Sequence, residues 1–295
     1  MELRRRIVDK VNNTWMISAL TLVLFMPLII GFALYLKAWP IIHSNSIGQL
    51  ISSSEWLPAQ GKFGFWPFVT GSVYVTFLSF VFSAPVCLFA GIYLSQYASK
   101  NLMKIMYPVI DILAGLPSVI YGVWGILIIV PFVGKHLAPV FNISSSGYTV
   151  LSGGLVLAVM CIPYMLNMLL EVFNTVPSGL KEASLSMGAT YWESIKHVVI
   201  KGSHAGIISS FGLGLAKAFG ETLAVMMVVG NRIQVTFNPF EAGYPLPALI
   251  ANNYGEMLSI PMYDSALMFA ALLLFVIILI INLVFRYFIY KTKTG

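Results

Sequence analysis

Apolar residues fill six long stretches, 15–36, 67–94, 106–132, 148–173, 203–230 and 264–290, and polar residues collect between them. Each stretch can carry an α-helix through about 30 Å of hydrocarbon at about 1.5 Å per residue. Only helices and closed barrels satisfy their backbone groups in lipid. The pattern therefore predicts an all-α polytopic membrane protein with six transmembrane helices. It divides the chain into a segment 1–14, a membrane domain 15–290 and a tail 291–295. Within the domain, 37–66 and 231–263 are the substantial segments on one side, and 174–202 is the long polar loop on the other.

Composition agrees with this. The chain is 58% hydrophobic and 9% charged, with a mean hydropathy of +0.86. A soluble surface needs more ionised side chains than that. The net charge of +6 does not point to nucleic acid, because it sits at span boundaries. Of the 17 Lys and Arg, twelve fall on the side of the termini and the 174–202 loop, four on the other side, and Lys217 within a span. The positive-inside rule then puts both termini and that loop in the cytoplasm of a multi-pass cell-membrane protein. The first span reads as a retained anchor, since no small-residue cleavage site follows it. Cys87 and Cys161 lie in apolar stretches and read as buried thiols, and His43, His136, His197 and His204 lack metal-ligand spacing.

The loop 174–202 has its own helix signals. Pro177 suits a helix start, and Gly188 suits the left-handed residue that ends one. Thr190 followed by Glu193 has the spacing of a capping box for a second helix from Tyr191 to about Ile200. Two short helices joined at a glycine serve either as an amphipathic connector or as a docking element. In the segment 231–263, the apolar piece 247–258 reads as a short interfacial helix, an outer gate or a docking surface. Trp39, Trp56 and Trp66 in the segment 37–66 suit an interfacial belt.

Two spans carry polar chemistry. In the fifth, Lys217 and Glu221 are spaced i, i+4, which on an unbroken helix puts both on one face. Ser203, Gly206, Ser210 and Gly214 fall on the same face. That stripe is either a small-residue packing seam around a neutralised ion pair or the lining of a transport pathway with Thr222 at its end. Lys217 lies about 14 residues, roughly 20 Å, from the start of its span. In the third span, Pro117 with Ser118 behind it frees the Leu113 carbonyl and predicts a kink or break. Asp111 sits at a different depth from Lys217 and faces either a neighbouring helix or the inner vestibule.

Glu182-Ala183-Ser184 with Gly188, preceded by Val176-Pro177 and Leu180, resembles the EAA loop of ABC importer permeases. Leu180, Glu182, Ala183 and Gly188 are then its ATPase-coupling residues, with Ser184 in place of a usual alanine and Lys201 in place of a usual proline. The stretch from Leu215 through Lys217, Gly220, Glu221 and Thr222 is similar to the Arg-Ala-x-Gly-Glu-Thr pattern of phosphate importer permeases. The run from Ala114 to Gly125 and the run Leu249-Ile250-Ala251-Asn252 agree with it. The resemblance covers nearly the whole chain and is closest to the PstC-type permeases, with Lys217 at the family's arginine.

This resemblance implies the MetI-like permease fold and a non-catalytic subunit importing inorganic phosphate. Its implied partners are a second permease (PstA type), two ATPase subunits (PstB type) and an extracytoplasmic phosphate-binding protein (PstS type). No Gly-x-x-x-x-Gly-Lys-Ser/Thr cradle occurs in the chain, so ATP and Mg are expected on the partner ATPases. Sulfate, molybdate or tungstate import is the nearer alternative, and an ATP-independent channel or secondary transporter the more distant one.

Overall fold

The computed structural model describes residues 2–255, 260 and 262–294. The outermost residues of the predicted end segments lie outside the described residues, as do 256–259 and 261, including Leu258 at the end of the predicted interfacial piece. Helix α1, Glu2–Ser44, runs through the first predicted span and on past it. Helix α2, Ile47–Ser52, and a hairpin of β1, Trp56–Leu57, with β2, Lys62–Phe63, lead into α3, Trp66–Gln96. Helix α4, Lys100–Gly115, is followed by α5, Ser118–Val140, and α6, Val150–Asn174. The long polar loop holds α7, Ser178–Ser186, and α8, Tyr191–Gly202. Helix α9, His204–Gly220, and α10, Leu223–Met226, precede α11, Leu246–Asn253, and the last helix α12, Tyr263–Thr294.

Among the described residues, five helices are long and apolar enough to cross a membrane, and a sixth crossing follows if the bent pair α8–α9 counts as one. The third crossing is displaced from its expected range. It runs over Ser118–Val140, because Leu116 and Pro117 are extended and end α4 at Gly115. Pro117 thus separates two helices where a kink was one expectation. The Leu113 carbonyl near that end accepts a hydrogen bond from Tyr121 Oη at 2.7 Å, so the break leaves no orphan there.

The fifth crossing also differs. Helices α8 and α9 meet at 66°, and α9 stops at Gly220 instead of continuing to 230. Helix α11 packs into the bundle. Leu246, Pro247, Ala248 and Leu249 are buried, packed between α3 and α12 with Phe65, Phe68 and Tyr263. Trp56 stands edge-on to Phe63, Phe65, Phe68 and Tyr263, which makes that end of the bundle an aromatic cluster. Trp39 and Trp66 stay exposed, as an interfacial belt requires.

A second core joins α3, α6 and α9 through Val75, Cys87, Leu157, Met165, Leu169 and Ile207. In lipid, such contacts are favoured by close packing more than by the hydrophobic effect. Helix α9 is thin on two sides. A Cβ at Gly214 would come within 2.4 Å of Met165 on α6, and one at Gly212 within 2.5 Å of Phe285 on α12. Helix α9 is therefore clamped between α6 and α12.

Candidate functional site

Two regions carry the expected functional residues. The first is the end of α9. Glu221 is extended, with φ −74 and ψ 126, and its N–H reaches back to the Ala218 carbonyl at 3.3 Å. Thr222 Oγ1 donates to the Gly220 carbonyl at 3.3 Å. The Glu221 carboxylate accepts from the Ala224 N–H at 3.5 Å, at the first turn of α10. The chain leaves the helix at the residue meant to share a face with Lys217, so the predicted i, i+4 pair does not form. The salt bridge found among the described residues is Lys62–Glu55, at 2.8 Å in the β1–β2 hairpin.

Lys217 is half-buried, and its Nζ lies 4.4 Å from the centroid of the Tyr164 ring on α6. This partner is absent from the sequence reading, because a residue 53 positions away on another helix leaves no local signal. Ser210 is fully buried and donates to the Gly206 carbonyl at 2.9 Å. Gly206 and Gly214 both abut α6. The lower part of the stripe is thus a packing seam, and its polar chemistry concentrates at Lys217, Glu221 and Thr222.

A narrow pocket beside the break is lined by Glu221 and Phe219, by Ser72 and Thr76 of α3, and by Pro245 and Pro247 at the start of α11. The two helix breaks are neighbours. A Cβ at Gly122 on α5 would come within 2.5 Å of Met227 Sδ and 3.3 Å of Ala224 Cα. The turn after Pro117 and Ser118 therefore rests against the turn after Glu221. Asp111 accepts from Asn167 Nδ2 of α6 at 2.9 Å, which satisfies one of its two expectations, a bond to a neighbouring helix.

The second region is the loop with α7 and α8. Pro177 precedes α7, Gly188 takes φ +86, and Thr190 and Glu193 form the complete capping box. The Thr190 N–H and hydroxyl both donate to Glu193 Oε2, at 2.8 and 2.7 Å. These bonds, the backbone one foremost, hold the Glu193 carboxyl below its ordinary pKa. Leu180, Glu182, Ala183 and Gly188 are all exposed, and Met187 is 89% exposed.

The loop is also tied to α3, which sequence reasoning missed. Lys181 Nζ donates to Gln96 Oε1 at 3.0 Å and to Tyr191 Oη at 2.7 Å, and Tyr191 Oη donates to the Gln96 carbonyl. Tyr97 packs against the Tyr191 ring, with centroids 5.1 Å apart. An exposed, apolar-tipped surface on a rigid, bonded base is suited to receiving another protein.

Comparison with known proteins gives a consistent picture. The chain is 32% identical over 310 aligned residues to the probable phosphate transport system permease protein PstC of Methanocaldococcus jannaschii, covering 99% of this chain and 98% of that protein. It is 30% identical to the probable ABC transporter permease protein YqgH of Bacillus subtilis, over 98% of this chain and 94% of that one. It is 29% identical to the phosphate transport system permease protein PstC of Mesorhizobium japonicum, over 99% and 94% of the two chains. Among solved structures, an inward-facing MetNI methionine ABC transporter chain matches with a TM-score of 0.59 at 21% identity, covering 77% of this chain and 97% of that chain. Residues 87–294 match the profile of the binding-protein-dependent transport system inner membrane component. A match over most of the length, carried by relatives aligned nearly end to end, makes this chain a multi-pass membrane protein of the binding-protein-dependent transport system inner membrane component family.

Proposed function

We propose that the chain is one permease subunit of an ATP-driven importer that moves inorganic phosphate into the cytoplasm. The observation that carries this is the end of α9. A helix clamped between two neighbours breaks at Gly220–Thr222 and leaves the half-buried Lys217 ammonium without a carboxylate partner, which suits it to meet an anion. Near-full-length similarity to proteins named as phosphate transport permeases supports the choice of anion.

Lys217 offers the phosphate a charge-assisted contact. Glu221 and Thr222, just beyond the helix end, shape the other wall, and the carboxylate keeps the site from holding the anion too tightly. Conduction requires a site that is occupied and then vacated. Helix α5, which begins at Ser118 after Pro117, braces the turn beyond the break through Gly122. Ammonium at this position gives a point charge and three donors, without the planar fork of guanidinium.

The chain supplies no nucleotide chemistry of its own in this proposal. ATP and Mg bind two partner ATPase subunits. One of them grips the surface around Leu180, Glu182 and Ala183, with Gly188 fixing the corner between α7 and α8. ATPase closure moves α8, and the bend into α9 delivers that motion to the break. A second, related permease completes the conduit, and an extracytoplasmic phosphate-binding protein delivers the anion to the face opposite the termini, which lie in the cytoplasm.

Uptake of labelled phosphate into vesicles holding the assembled importer tests the proposal. ATP-dependent uptake, displaced by excess phosphate and not by sulfate, molybdate or tungstate, is the expected result. Displacement by one of the other oxyanions would reassign the substrate. Uptake without ATP would remove the chain from an ATP-driven machine.

A further inference from the structure

Lys217 and Glu221 are four residues apart in the chain, bear opposite charge and sit beside the same stretch of α6. Lys217 lies over Tyr164 of that helix, and Glu221 lines a pocket together with its Leu157. An ion pair between them is the obvious outcome, yet it is absent. The helix end at Gly220 takes Glu221 off the Lys217 face, and two side-chain restraints then hold the charges apart. The Lys217 ammonium rests 4.4 Å from the Tyr164 ring centroid, and the Glu221 carboxylate turns away to the Ala224 N–H.

The second restraint is weak, since its 3.5 Å length is at the limit of a hydrogen bond. The ring face is therefore the main competitor for the ammonium. It attracts a cation through its quadrupole without neutralising it, unlike a carboxylate. An ammonium on a ring still has donors directed away from the ring, and it still presents net positive charge.

We propose that Tyr164 is a positioning residue that keeps the Lys217 ammonium open to the anion and stops it collapsing onto Glu221. This rests on the phosphate-permease function proposed above. A point-like ammonium on a flexible stem needs such a support, because its stem can swing towards a nearby carboxylate.

The test is phosphate uptake by the reconstituted importer with four substitutions. Tyr164→Leu removes the ring, and KM for phosphate rises about tenfold with a smaller change in maximal rate, on the scale of a lost cation–π contact. Tyr164→Phe keeps the ring face and brings KM back towards the parent value. Tyr164→Leu combined with Glu221→Gln recovers part of the loss, because no carboxylate remains to capture the lysine. Lys217→Met, measured alongside, separates the two levels of the argument.

If Lys217→Met stops uptake and Tyr164→Leu leaves KM unchanged, the positioning role is wrong and the permease function stands. If Lys217→Met transports normally, the anion contact itself is wrong. Equal damage from Tyr164→Phe and Tyr164→Leu would assign the effect to the hydroxyl and overturn the proposal, as would no recovery in the double variant. Should Tyr164→Leu fail to assemble, Tyr164→Met takes its place, filling the space without a ring.

Discussion

The corner between α7 and α8 and the break between α9 and α10 both interrupt helices, and they do so by opposite means. At the corner the devices that end one helix and start the next are local. Gly188 takes the left-handed conformation, and Thr190 and Glu193 satisfy each other's donors within one turn. At the break the devices are loose. Thr222 bonds back to Gly220 at 3.3 Å, and Glu221 reaches Ala224 at 3.5 Å. A closed corner exposed to water makes a stiff handle. An open break between packed helices leaves a charge and polar groups for something passing. A machine driven from outside the bilayer needs both, the first to receive force and the second to yield to it.

The largest way to break this comparison is to remove the charge at the open end. Lys217→Met should lower phosphate uptake by about 30-fold or more, the effect of losing a charge-assisted contact of about 2 kcal/mol. Assembly with partner subunits, followed by co-purification, should be unchanged. Next comes the closed corner. Gly188→Val forces a β-branched residue to φ +86, at a cost of about 1–2 kcal/mol. ATP-dependent uptake should fall, while the accessibility of a thiol placed at residue 220 stays as before in the absence of ATP and loses its response to ATP. Thr190→Ala should cost about 1 kcal/mol locally. Faster amide exchange in the first turn of α8 would report it, with little change elsewhere.

Acid sharpens the same corner. The Glu193 carboxyl has a lowered folded pKa, so its contribution is fully present above the unfolded value and fades as pH falls through the folded one. Exchange protection of α8 should weaken only in acid, below the ordinary carboxylate range, and Glu193→Gln should remove that pH dependence. The smallest effect belongs to the other break. Tyr121→Phe removes the side-chain donor to the Leu113 carbonyl, which keeps the Leu116 N–H at 3.3 Å, and should lower stability by about 0.5–1 kcal/mol, seen as a small drop in Tm.

How legible each region was in the sequence follows from the same contrast. The corner was readable because Pro177, Gly188, Thr190 and Glu193 act on residues within four positions of themselves. The break in α9 was not. Gly220 alone is tolerated inside helices, and no proline follows it, so a continuous face from Lys217 to Glu221 was the natural expectation. Tertiary packing against α5, α6 and the start of α11 decides otherwise. Pro117 was correctly marked as an interruption, but the choice between a kink and a full helix end depends on where the Leu113 carbonyl finds a partner. Tyr164 and the tie from Lys181 and Tyr191 to Gln96 are contacts across distant sequence, which periodicity does not encode. The stripe of Ser210 and Gly214 was visible, while its packing against α6 required the neighbouring helix.

The central claim is that the break at Gly220–Thr222 faces a wet route for an anion. Gly220 is exposed, and a Cβ there meets nothing within 4 Å, so Gly220→Cys fits without strain on its neighbours. The native Cys87 and Cys161 are buried and give little background. Labelling of Gly220→Cys in the assembled importer by a charged, water-soluble thiol reagent is the direct measurement. Labelling that inorganic phosphate slows, and that changes when ATP is supplied, is the predicted result. Resistance to the charged reagent together with rapid labelling by a lipid-soluble maleimide would put the break against the bilayer and contradict the claim.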